Sequence, residues 1–155
     1  MSAEARIAEL GLELPKPPKP GGTYSPVVHL DSTRTLYVSG HGPLLPDGTL
    51  ITGKVGQDLT EEQGKEAARQ VGLTILATLK QNLGDLDRID RWVKVLGMVN
   101  ATPDFMRHPQ VINGFSDLMV EIFGHSGRAA RSAVGMGSLP GNIAVEIEAI
   151  LLLKE

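Results

Sequence analysis

The sequence predicts an α+β domain, one sheet of five or six strands with two helices laid on one face. Three observations carry this. Short β-branched runs recur between turn signals in both halves of the chain, VVHL (27–30) and IAVEIEAILLL (143–153) among them. Two longer segments, 60–83 and 109–123, repeat apolar residues with helical rather than strand period. Glycine (18) and proline (10) are too frequent for a helix bundle and ordinary for a turn-rich sheet protein. At 155 residues the chain is one domain's worth.

Residues 2–12 carry Ile7, Leu10 and Leu12 among charges, a weakly amphipathic pattern for a short helix. LPKPPKPGG (14–22) ends it, because its prolines remove backbone donors and favour extended geometry. We therefore read 1–22 as an extension and surface tether, and 23–155 as the single domain. VVHL (27–30) and TLYVSG (35–40) are strands, and Asp47-Gly48 predicts a hairpin turn within 43–53. In 60–83, Ala68, Val71, Ile75, Leu79 and Leu83 form one helical stripe. Thr60 with Gln63 makes a capping box, and Gly84 a stop. RWVKVLGMVNA (91–101) is a strand, Pro109 opens a second helix that ends at Gly124, and SAVGMG (132–137) is another strand. In the last strand Ile143, Val145, Ile147, Ala149 and Leu151 point one way, which predicts the helix-covered face. Ala144, Glu146, Glu148, Ile150 and Leu152 point the other way. Two carboxylates among apolar residues predict a face against which a second protein surface packs.

Composition excludes several functions. A net charge of −3 and 4% aromatics provide neither a phosphate-binding field nor a stacking platform, so nucleic acid is an unfavoured partner. Cysteine is absent, which removes disulfides, thiolate metal sites and thiol nucleophiles. The N-terminal residues lack a signal-peptide apolar region, and no run of about 18 apolar residues occurs, so a soluble, cytoplasmic protein with no membrane partner is expected.

The four histidines, His29, His41, His108 and His125, lack metal-ligand spacing, and no metal site is expected. Ser39 lies in SGHG, not in a nucleophile elbow. Arg131, at the entry to the fourth strand region, offers a planar fork suited to a carboxylate, although Arg128 lies three residues before it and a structural role is open to either. Glu146 and Glu148 share a face, and the pattern alone does not choose between them. Tyr24 and Asn113 are polar groups near element ends.

Several segments taken together resemble the RidA/YjgF family, also known as L-PSP endoribonuclease-like: GTYSPVV (22–28), LYVSGHGPLLPDG (36–48), GKVGQDLTEEQGKEAARQ (53–70), LGDLDRIDRWVKV (83–95), VINGFSDLMVEIFG (111–124), RSAVGMGSLP (131–140) and AVEIEAI (144–150). LPKPPKPGGTY resembles a longer-chain branch. The resemblance implies a chorismate-mutase-like fold, a homotrimer with an inner β-barrel, and sites in the clefts between subunits. It implies cofactor-free hydrolysis of reactive 2-imino acids and their enamine tautomers to 2-keto acids and ammonia. The family's substrate-binding arginine falls on Arg131 and its glutamate on Glu146. Tyr24, Ser39, Gly40 and Asn113 fall on cleft-lining positions, and Ala133 on one whose backbone helps to bind the carboxylate. Two departures stand out. Ala133 replaces a typical cysteine, which removes thiol chemistry, and SGHG replaces an SGQ-like turn, which places His41 at the expected cleft rim. A non-catalytic binder of 2-keto acids is the alternative expectation, and an endoribonuclease the weaker one.

Overall fold

The computed structural model describes residues 1–155. Its main strands are β1 (Val27–Leu30), β2 (Thr35–His41), β3 (Ile89–Asn100), β4 (Ala130–Met136) and β5 (Val145–Leu153). Its α-helices are α1 (Ala3–Glu9), α2 (Glu61–Leu83) and α3 (His108–Phe123). The sheet order is β1-β2-β5-β3-β4, in which β3–β4 is parallel and every other pair antiparallel. The parallel pair requires a crossover, which α3 supplies, and that crossover brings the Asn113 face of α3 to the sheet edge formed by β4.

The period-2 pattern of β5 sorts the two faces as expected. Val145, Ile147, Ala149, Leu151 and Leu153 are buried beneath the helices, together with Ala68, Val71, Ile75 and Leu79 of α2. Trp92 of β3 meets Phe115 and Phe123 of α3 edge-on, with ring centroids 5.6 and 5.8 Å apart. The opposite face carries Glu146 and Glu148 and leaves Val28, Leu30, Tyr37 and Val134 exposed. Alternating apolar burial covers one face and leaves the other incompletely sealed.

α2 starts as predicted. The Thr60 hydroxyl accepts from Gln63 N–H at 3.2 Å and the Gln63 side chain accepts from Thr60 N–H at 2.8 Å. Thr60→Ala orphans a helix-end donor, and a loss of about 1 kcal/mol in urea unfolding is expected.

One expectation is met in reduced form and one needs correction. The hairpin at 43–53 is minimal, with Leu45 N–H donating to the Thr49 carbonyl at 2.8 Å and Ile51 N–H to the Pro43 carbonyl at 3.1 Å. The turn exists, with Gly48 at φ +86°, but pairing is reduced to isolated bridges, Leu44 to Leu50 and Thr52 to Ile143. Two prolines and two glycines within this stretch interrupt any ladder. The helical layer also has a third member. Ala3 and Ile7 of α1 join the core, the Glu4 carboxylate pairs with Lys80 and accepts from Leu86 N–H, and Arg6 Nε donates to the Glu121 carbonyl at 3.0 Å.

Candidate functional site

Arg131 is the second residue of β4 and pairs in register with Val95, whose side chain faces the helices. Its side chain therefore turns toward α3. There Nη1 donates to Asn113 Oδ1 at 2.8 Å and Ser116 Oγ at 3.1 Å. Asn113 and Ser116 are three residues apart on a helix and so share one face. They hold one guanidinium nitrogen, while Nε and Nη2 find no acceptor and no carboxylate pairs with the group. Partial burial lowers the pKa of Arg131 from its usual value, against the pull of Asp117, yet a guanidinium stays charged in proteins. It opens onto a crevice of about 230 Å³ lined by Ser116, Asp117, Val120, Arg128 and Ala129. Arg128 is exposed and makes no side-chain hydrogen bond, whereas Arg131 is held in place. Ala133 lies two residues along the same edge strand, partly buried against the core. An edge strand leaves alternate backbone groups without partners.

Glu146 lies on the other face, paired in register with Met98. Its carboxylate rests on the backbone of Gly40, where an added Cβ would stand 2.6 Å from Oε2. Burial raises the Glu146 pKa, and neighbouring Glu148 adds to the rise. The two glutamates that sequence could not separate thus differ in setting. Glu148 is exposed and lines a hollow of about 550 Å³ with Tyr37, Lys94 and Ser132. Gly40 also borders, with His41 and Tyr24, a pocket of about 110 Å³ closed by Pro18, Lys19, Pro20 and Pro26. Tyr24 is half exposed, and its hydroxyl accepts from Gly21 N–H at 3.3 Å. The Ser39 hydroxyl donates to the Ser25 carbonyl at 2.6 Å, which helps to fix the turn.

His41 borders the Tyr24 pocket, as the rim reading expects, but its ring turns inward. By plain alternation after Leu36 and Val38 it should point away from the helices, onto the rim. Between Val38↔Ala149 and His41↔Ile147, β2 spends three residues against two of β5, and this bulge turns the ring inward. The ring is buried, with Nδ1 2.6 Å from the Ser39 carbonyl and Nε2 2.9 Å from Thr78 Oγ1 of α2. Burial lowers its pKa. Sequence reasoning missed Ser116 and Thr78 as functional neighbours. Ser116 was legible as the i+3 partner of Asn113, whereas Thr78 had no signal beyond being polar in an apolar helix.

One chain therefore carries two half-sites. Arg131 aligns through Val95 with Ala149, three residues along β5 from Glu146 and two strands away. Strand geometry puts their Cα atoms about 14 Å apart. They also lie on opposite faces of the sheet. Arg131, Asn113 and Ser116 come together, as do Glu146, Gly40 and the neighbourhood of Tyr24, but the two groups do not meet within the chain. No cluster of three metal-ligating side chains occurs, and no helix is long and apolar enough to cross a membrane.

Comparison with known proteins gives a consistent picture. A family model described as "YjgF/chorismate_mutase-like, putative endoribonuclease" matches residues 4–149. Protein TCP17 of Trypanosoma cruzi is 40% identical over 151 residues, 97% of this chain and 93% of that protein. A 2-iminobutanoate/2-iminopropanoate deaminase of Dermatophagoides farinae is 28% identical over 144 residues, 92% of this chain and 95% of that one. The crystal structure of Atu1372, a protein of unknown function from Agrobacterium tumefaciens, superposes with a TM-score of 0.88 at 40% identity, covering 98% of this chain and 94% of that one. With the matched model, the mixed five-stranded sheet and the RSAV and VEIEAI segments in agreement, the chain belongs to the RidA/YjgF (YjgF/chorismate-mutase-like) family.

Proposed function

We propose that the protein is a hydrolytic deaminase of 2-imino acids that works as a homotrimer, its sheets forming an inner barrel and its sites lying between subunits. The observation that carries this reading is the guanidinium of Arg131, fixed through one nitrogen by Asn113 and Ser116 and left with unused donors. Such a fork binds a carboxylate bidentately. The open sheet face, apolar around Glu146 and Glu148, supports burial against a second copy. A carboxylate clamp and a candidate base on separate patches support a site completed by a neighbouring protomer.

The substrate carries a carboxylate beside a C=N carbon. Arg131 binds the carboxylate and fixes the position of that carbon. Glu146, ionised, takes a proton from water as the water oxygen bonds to the imine carbon and the C=N electrons move to nitrogen. Glu146 returns that proton to the nitrogen, then takes the carbinolamine hydroxyl proton as C=O forms and gives it to the nitrogen as the C–N bond breaks, releasing ammonia. The net change is imine plus water to ketone plus ammonia, with no oxidant and no cofactor. In the assembled cleft Tyr24 and Ser39-Gly40 from the glutamate side and Asn113 from the arginine side shape the space around the side chain. The raised pKa of Glu146 brings its basicity nearer to what proton transfer at neutral pH requires.

The test is a panel of imino acids generated in situ by an amino-acid oxidase, with semicarbazone trapping as the readout. Faster loss of trappable imine in the presence of the protein is the expected result. Binding of 2-ketobutyrate without any acceleration would replace the deaminase with a binding protein.

A further inference from the structure

His41 is nine-tenths buried, both ring nitrogens are engaged, and the mechanism above does not use it. The Ser39 carbonyl is an acceptor only, so Nδ1 carries the proton and donates to it. In the neutral ring Nε2 is then an acceptor, and the Thr78 hydroxyl donates to it. Burial, which disfavours the imidazolium, agrees with this tautomer.

The two bonds tie the end of β2 to α2. Thr78 lies more than a turn inside the C-terminal end of α2 and is itself buried, so it is a rigid anchor. The Ser39 carbonyl belongs to the bulged segment, where β2 carries one residue more than β5. Between Ser39 and His41 lies Gly40, against whose backbone the Glu146 carboxylate rests. A bulge interrupts its own ladder and needs other bonds to fix its course. On the outer side Ser39 N–H donates to the Pro26 carbonyl at 3.0 Å and its hydroxyl to the Ser25 carbonyl at 2.6 Å. On the inner side the imidazole supplies the hold.

We propose that His41 is a positioning residue: bridged between Thr78 of α2 and the Ser39 carbonyl, its ring sets the bulge that places Gly40 beneath the Glu146 carboxylate. Both of its ring nitrogens are engaged in these two bonds, so it acts through Gly40 on where Glu146 stands. The proposal deepens the deaminase reading, on which its kinetic arm rests.

The test uses Thr78, which is far enough from the carboxylate to leave the chemistry untouched. Thr78→Val keeps the shape and removes the donor to Nε2, whereas Thr78→Ser keeps the donor. For Thr78→Val, kcat for imine hydrolysis is expected to fall about tenfold with KM within about a factor of two, since the Arg131 clamp is unaffected. Thr78→Ser is expected to stay near wild type. His41→Gln, whose amide offers one donor and one acceptor, is expected to recover most of the kcat lost in His41→Ala. In parallel, the backbone amide NMR signals of Ser39 and Gly40 are expected to shift in Thr78→Val and not in Thr78→Ser. Unchanged amide signals and kcat in a folded Thr78→Val protein would overturn the proposal, as would equal losses in kcat/KM carried by KM alone. The NMR arm needs no turnover. If wild type hydrolyses no imine, the deaminase reading fails while the Ser39 and Gly40 shifts still decide whether His41 sets the bulge.

Discussion

Arg131→Ala and Glu146→Gln, each inactive alone in imine hydrolysis, are expected to recover about a quarter of wild-type activity when their subunits are dissociated, mixed equally and reassembled. The reasoning is geometric. Within one chain the guanidinium points to α3 from the edge strand, while the carboxylate lies on the opposite sheet face against Gly40. A 2-imino acid has its carboxylate and imine carbon directly bonded, so it cannot span two strands and a sheet. In the proposed cyclic trimer each site takes Arg131 from one protomer and Glu146 from the next. Random mixing gives each site an intact arginine donor half the time and an intact glutamate donor half the time. Recovered turnover, with subunit exchange verified by native mass spectrometry, is the expected outcome. If exchange occurs and no activity returns, the shared site is wrong. Arg131→Lys separates the fork from the charge. Lysine presents a point charge without the planar pair of donors, and a loss of about tenfold or more in kcat/KM is expected.

The elements were legible because their signals are local. The 3.6-residue stripe of α2, its capping box and the alternation of β5 depend on neighbours within a few positions, and each appears as read. The turn within 43–53 was legible, but a two-residue turn signal does not reveal how far the pairing beyond it runs, which here ends around the Leu44–Leu50 bridge. The inward turn of His41 was not legible for a related reason. One extra residue in a strand reverses the direction of everything after it, and no residue type marks that insertion. Among the site residues, Asn113 and Arg131 were read separately, yet the crossover makes them one unit. Glu146 and Glu148 share parity and residue type, so only depth on the sheet, which depends on what β2 does beside β5, distinguishes them.

Gly40→Ala tests that distinction most directly. A methyl group there would lie 2.6 Å from Glu146 Oε2, closer than real contacts come, and 3.0 Å from its Cδ, so the carboxylate must swing away. Displacement of a catalytic group by about 1 Å can cost about a hundredfold in rate, and a fall in kcat of that order is expected with 2-ketobutyrate binding retained. Glu148→Gln should act on the same group in the opposite sense. Glu146 works ionised, and burial and Glu148 both hold its pKa above the ordinary 4.5, so activity should be lost on the acid side at a higher pH than for a free carboxylate. Removing the Glu148 charge leaves burial alone, which moves the acid limb of kcat/KM to lower pH without carrying it down to 4.5. An acid limb that stays where it was in Glu148→Gln would mean that Glu146 does not set it. A Gly40→Ala protein with wild-type kcat would mean that the carboxylate resting on this glycine is not the base.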